Sequence, residues 1–403
     1  MHKSLGFRIF VERKQRWGKC PAAYRQQLQL GARSPPLTRF RKSGQKSPTK
    51  RTATLNFTKI QNINDTVKNQ ALNTMSTVLV IGNGFDLALG YDSAYSHFAN
   101  TWAGSIRHFY WPFKNSDDSK FQSESLHQYF FNYFISQRED NGSVRWLDIE
   151  TELYNYAKSK QGKRIPDNLV SQDKWSFDCL VRSLHHYLLR HEELKYKHIP
   201  PKGEDKCIIE LLKALRRDRS FNKVYSFNYT DLKKRLIKYG EFIEGAIPQI
   251  KYVHGSIGIG SETNPQIVLG INADSSIPIE YSFLQKINNP YADAGDLAKD
   301  LADADEIIFY GLSMGIVDFE YFSSFFHNVV NAPFTTAKKH ITIFTRGEKN
   351  VYSIGRNISD MGVALRDLKE HAHFNIIDSH EAEFDDNGHY TQLHKLIDRL
   401  ISK

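Results

Sequence analysis

The sequence predicts an α/β protein, a Rossmann-like doubly wound and mostly parallel sheet with a large helical insertion. Three observations lead there. The run Thr77-Val78-Leu79-Val80-Ile81 ends abruptly in Gly82-Asn83-Gly84, the pattern of a strand buried on both faces that leaves through a tight turn. Short apolar runs recur at 223–227, 250–253, 266–269, 306–310, 340–344 and 373–377. Stretches of helical spacing at 231–239, 293–302, 319–330 and 351–369 separate most of them, and such alternation argues for parallel strands joined by helical crossovers.

The segment before the first strand reads differently. Residues 1–75 hold 16 Lys and Arg against two acids, Glu12 and Asp65, whereas 76–403 carry a net charge of −5. The overall charge of +9 therefore belongs to a basic leader, and nucleic-acid binding by the folded body is not indicated. Poor apolar periodicity, the Ser34-Pro35-Pro36 break and the basic stretch 39–42 predict a disordered segment. It reads as a nucleic-acid arm, as an Arg-rich, acid-poor transit peptide, or as upstream sequence ahead of a true start at Met75. The last reading is preferred, because Met75 stands two residues before the first strand. The mass of the protein from its native host decides among them.

About 140 residues lie between the first and second strands, far more than a crossover needs. Stretches 93–102, 123–136, 148–158, 175–193 and 205–217 have helical spacing or composition, so a helical cap is expected over 100–218 within an α/β domain of 76–403. Its aromatics, Phe109, Tyr110, Trp111, Phe113, Tyr129, Phe130, Phe131, Tyr133 and Phe134, are expected to pack the cap, with nucleobase stacking as the functional alternative. Cys20, Cys179 and Cys207 form no CxxC pair, which suggests neither a zinc site nor a disulfide framework and fits a reducing, cytoplasmic setting. No run approaches the roughly 20 apolar residues that span a bilayer.

In a doubly wound sheet, ligands bind beyond the carboxyl ends of the strands, and four polar motifs fall at such ends. In Gly82-Asn83-Gly84-Phe85-Asp86 the glycines permit a tight turn and close ligand approach. Asp86 competes with a phosphate for the helix start, so it either caps the helix or accepts bonds from ribose hydroxyls. In Ser226-Phe227-Asn228-Tyr229-Thr230-Asp231, Asn228 can orient a sugar hydroxyl or water, while Thr230 or Asp231 can cap the next helix. In Val253-His254-Gly255-Ser256, His254 is a candidate general base. In Tyr310-Gly311-Leu312-Ser313-Met314-Gly315, followed by Asp318, small residues make room for a ligand and Ser313 can bond phosphate or ribose. GLSMG matches GxSxG by letters, but only the separated His254 accompanies it. Asp148, Glu150 and Glu152 alternate before a helix, where a charged helix start is preferred over metal ligation. No metal is predicted, and His371, His373 and His380 lack metal-site spacing.

In order, VLVIGNGFDLALG, WLDIETEL, FNYT, VHGS, QIVLGIN and YGLSMGIVDFEYF resemble the bacteriophage abortive infection AbiH family, from about Thr77 to near the C-terminus. The resemblance implies a defence role, in which an infected cell is arrested or killed in response to a phage-derived trigger. The order of glycine turn, strand-end Asn and His-Gly is more distantly similar to that of sirtuin-like NAD-binding domains. That similarity implies NAD as substrate or ligand, with Asn228 orienting the nicotinamide ribose or a water and His254 deprotonating a hydroxyl or water. It places Gly82, Asn83, Gly84, Phe85, Asp86 and Thr230 against the dinucleotide, and Gly311, Ser313 and Asp318 along its other side. The chain departs from those domains in having Phe85-Asp86 where they carry Ser or Thr, and Thr230 where many carry Asp. Three functions compete: a glycohydrolase acting on NAD, a non-enzymatic sensor or toxin that binds a nucleotide or a phage protein, and a metal-dependent nuclease using Asp148, Glu150 and Glu152 around magnesium, with the leader contacting nucleic acid. The oligomeric state stays open.

Overall fold

The computed structural model describes residues 75–103, 125–137, 148–197, 206–261, 264–380 and 391–402, all within the larger of two compact units, Val67–Lys403. The leader, Phe109, Tyr110, Trp111, Phe113 and Cys20 lie outside the described residues.

Six strands form one parallel sheet: β1 (Thr77–Ile81), β2 (Phe221–Ser226), β3 (Gln249–Tyr252), β6 (Glu306–Tyr310), β7 (His340–Thr345) and β8 (His373–Asp378). Their order is β3-β2-β1-β6-β7-β8. β1 and β6 are buried along their whole length, as expected of neighbouring central strands with both faces covered. Alternate residues of each strand enter opposite cores: Val78, Val80, Ile307 and Phe309 on one side, Leu79, Ile81, Ile308 and Tyr310 on the other.

The first face is covered by α8 (Leu297–Asp303), α9 (Phe319–Val330), α10 (Glu348–Asp360) and α11 (Leu365–His371). The predicted single helix 351–369 is thus two, parted at Gly362, whose φ of +85° suits glycine. The second face is covered by α1 (Asn83–Ala88), α6 (Lys206–Arg217), α7 (Leu232–Gly240) and α12 (Gln392–Ile401). α6 was expected in the cap. Its Cys207, Ile208, Leu211, Leu212 and Leu215 instead bury against Leu79 and Val224, because the helix feeds directly into β2.

The remaining described helices between β1 and β2 are α2 (Tyr95–Ala103), α3 (Leu126–Ser136), α4 (Ile149–Lys158) and α5 (Asp167–Lys197). Phe130 and Phe134 lie in their shared core with Phe98, Leu153 and Leu184. The buried Asp173 carboxylate accepts from the hydroxyls of Tyr156 and Tyr281, each at 2.6 Å, and from the Leu126 N–H at 2.7 Å. The predicted sheet strand at 266–269 is placed elsewhere. β5 (Asn264–Ile267) pairs antiparallel with β4 (Gly255–Ser261) in a separate two-stranded sheet, and Ile257, Ile267 and Leu269 complete the helical core. Among the described residues, no helix is long and apolar enough to cross a membrane.

Candidate functional site

Strand order reverses between β1 and β6, and in open α/β sheets the crevice at such a switch point is where ligands bind. The two turns leaving these strands touch backbone to backbone. Gly82 N–H donates to Tyr310 O and Gly84 N–H to Gly311 O, both at 2.9 Å. A Cβ on Gly84 would stand 2.6 Å from Gly311 Cα, and one on Gly311, with φ +68°, would stand 2.3 Å from Phe85 N. These glycines are needed for turn-to-turn contact. Gly84 is therefore occupied by Gly311, and Phe85 is 1% exposed, set edge-on to Tyr310 at 5.9 Å. Neither lines the cavity beside these turns.

A cavity of about 350 Å³ opens beside the turns, within the range of small-molecule sites. It brings together Gly82, Asn83, Asp86, Asn228, Thr230, His254, Gly311, Ser313 and Asp318 from the sheet's carboxyl edge. The cap contributes Tyr95, Asp148 and Glu150 to the same lining.

Asp86 does not cap α1. It is fully buried, with Oδ1 2.8 Å from Arg235 Nε and Oδ2 accepting from Thr230 Oγ1 at 2.6 Å. Asp231 caps α7 through Lys233 N, which leaves the Thr230 hydroxyl to Asp86. Arg235 is itself 1% exposed. Its Nη1 and Nη2 donate to Glu192 at 3.1 and 2.9 Å, and its guanidinium lies 3.8 Å over the Tyr91 ring. Burial pushes the Asp86 carboxyl above its ordinary range, opposed by the charge of Arg235 and by Thr230 and Asn228. With both oxygens engaged, Asp86 serves as the buried support of its neighbours.

Asn228 is 5% exposed, and its side chain hydrogen-bonds toward the Asp86 carboxylate. His254 is 8% exposed. Burial pulls its pKa well below 6.5, reinforced by the Lys286 charge and partly opposed by the Phe227 carbonyl, so the ring is neutral at pH 7. Its Nε2 lies 3.4 Å from the Tyr321 hydroxyl. Gly255 has φ +67°, and a Cβ there would stand 1.9 Å from Gln266 O, so glycine lets the β5 backbone cross directly behind the histidine.

Asp318 Oδ2 accepts from Ser313 Oγ at 3.1 Å and from Gly315 N at 3.2 Å. Burial, the larger influence, pushes its carboxyl up to about 6. Ser313 is paired to this aspartate and not to His254, so GLSMG builds no serine-histidine pair. Each of the three alternating cap acids has its own partner. Asp148 caps α4 through Thr151 N, Glu152 accepts from Tyr129 at 2.6 Å, and Glu150 pairs with Lys286 at 2.8 Å. Among the described residues, no group of three His, Cys, Asp or Glu is placed to hold a metal.

The order of these motifs is matched by a family model. Bacteriophage abortive infection AbiH matches residues 78–338, a span that runs from β1 through α9 and includes the whole lining. The chain belongs to the AbiH family. Its role is thereby one in bacteriophage abortive infection. No curated protein matches the chain.

Several residues of this AbiH cavity carried no clear sequence signal. Lys286 is 3% exposed and sits in a short 3₁₀ turn, Lys286–Asn288, with no motif around it. Tyr229 stood inside FNYT, yet only the fold shows its hydroxyl 3.4 Å from Glu150 and 3.3 Å from that of Tyr95. Tyr321, whose hydroxyl reaches His254 from outside the lining, stood in the helical stretch 319–330.

Proposed function

We propose that the protein is an abortive-infection effector whose cavity binds a nucleotide, with NAD as the favoured candidate, and hydrolyses its glycosidic bond when triggered. The carrying observation is that Asn228 and His254, far apart in sequence, meet at one cavity on the switch point of the sheet. The place of Asn228 in the cavity lining supports hydrogen bonding by its amide to a ribose oxygen or to the attacking water. The neutral His254 ring supports proton abstraction at neutral pH.

In the reaction, a water oxygen bonds to the ribose carbon as the carbon–nitrogen bond to nicotinamide breaks. The bonding pair leaves on the ring nitrogen, which becomes neutral, and His254 takes the proton of the water. ADP-ribose and nicotinamide are the products.

A second reading is supported by one contact. The Tyr321 hydroxyl occupies His254 Nε2, an arrangement that suits a sensor that binds without cleaving. Nicotinamide release by the activated chain separates the two. The hydrolase reading expects release that is lost in both His254→Ala and Asn228→Ala while the folded state survives. Equal turnover in both variants overturns it, and ligand-induced thermal stabilisation without product favours the sensor.

A further inference from the structure

The ring of His254 is engaged on both sides. A neutral imidazole has one N–H and one lone pair. The Phe227 carbonyl, which can only accept, takes the N–H, and the lone pair at Nε2 lies 3.4 Å from the Tyr321 hydroxyl. While that hydroxyl donates to it, the ring has nothing left with which to take a proton from water.

His254 lines the cavity at the switch point, and Tyr321 does not. The tyrosine ring stands edge-on to Phe227 at 5.1 Å and to His254 at 5.9 Å. The same residue lines a second cavity, of about 290 Å³, with Ala298, Ala302, Ser324, Phe325 and Phe334. A close-packed surrounding would fix such a ring in place, whereas this void leaves it room to swing off the histidine.

The segment that carries Tyr321 begins at the first cavity. Ser313, Val317 and Asp318 line that cavity, and α9 starts at Phe319, directly after the 3₁₀ turn Ile316–Asp318. Within the same loop Met314, fully buried, has a φ of +52°, a strained conformation for a residue other than glycine. A shift of this loop is carried to Tyr321 within one helical turn.

We propose that Tyr321 is a latch on the base: its hydroxyl holds Nε2 of His254 in the resting chain, and activation swings the ring away to free that nitrogen. The inference rests on the hydrolase reading above for what the freed nitrogen does.

Diethyl pyrocarbonate, which acylates an imidazole nitrogen through its free lone pair, reads the latch without any nucleotide. In the full chain at pH 7, carbethoxylation of His254, located by peptide mass, should be at least about fivefold faster in Tyr321→Phe, which keeps the ring and removes the donated hydrogen bond. It should be unchanged in Phe325→Leu, which loosens the same helix one turn further on. Tyr321→Phe should also release nicotinamide from NAD with no trigger present, and the double variant with His254→Ala should not. Modification of Tyr321→Phe at the wild-type rate, or matched by that of Phe325→Leu, overturns the latch whatever NAD does. Faster modification without nicotinamide upholds the latch and removes NAD hydrolysis as what it controls.

Discussion

At the residue scale, two titratable groups of the cavity lining are displaced in opposite directions from their ordinary behaviour. His254 is held neutral, so nicotinamide release should stay level from pH 8 to 6.5 and fall only in more acid solution. A rate that drops by half near pH 6.5 would assign the base to another group. Asp318, pushed up to about 6 from 3.8, behaves inversely. Because its folded pKa exceeds its unfolded value, its contribution to stability is full below pH 3.8 and is lost as pH rises through about 6. The stability of Asp318→Asn relative to the wild type should therefore improve by about 2–3 kcal/mol between pH 4 and pH 7, read from denaturant midpoints. Single residues were legible where a strand end exposed them, as with Asn228 and His254. Lys286 was not, because the Glu150 that gives it meaning lies 136 positions away in another layer of the molecule.

At the element scale, the contact between the β1 and β6 turns is the joint on which the cavity is built. Gly311→Ala should cost about 3 kcal/mol or more, since it combines a positive φ with a 2.3 Å backbone collision. Gly162→Ala is the control: its φ is +70° with nothing within 4 Å, so about 1 kcal/mol is expected. Equal losses in urea denaturation would show that turn contact adds nothing beyond backbone conformation. The central strands were legible because burial on both faces leaves an unbroken apolar run. The segment 266–269 shared that pattern and went to a hairpin instead, because an apolar run records burial without recording the partner. For the same reason the amphipathic face of α6 could not say whether it would meet the cap or the sheet.

At the scale of the described fold, the Glu192–Arg235–Asp86 chain of charges ties α5 of the cap to α7 and α1 on the sheet. Arg235→Ala leaves two buried carboxylates without their counter-ion and should destabilise by about 3–5 kcal/mol, whereas Glu192→Gln, which keeps a hydrogen-bonding group, should cost less. Denaturant unfolding ranks the two, and a reversed order would assign the network no electrostatic role. The parallel sheet with its insertion was legible from alternation and spacing. The cap's share in the cavity was not, because Glu150 and Tyr95 reach it only through packing of distant segments.

The central placement of β1 also bears on how the chain is made. The strand emerges ahead of both its neighbours, and the edge it shares with β6 is joined across a separation of 229 positions between Ser76 and Asp305. At about 5–20 residues per second, a ribosome takes roughly 10–45 s to cover that distance. For that interval the most apolar strand of the sheet has an unpaired edge, and holding it soluble falls to chaperones or to provisional contacts with the nascent cap.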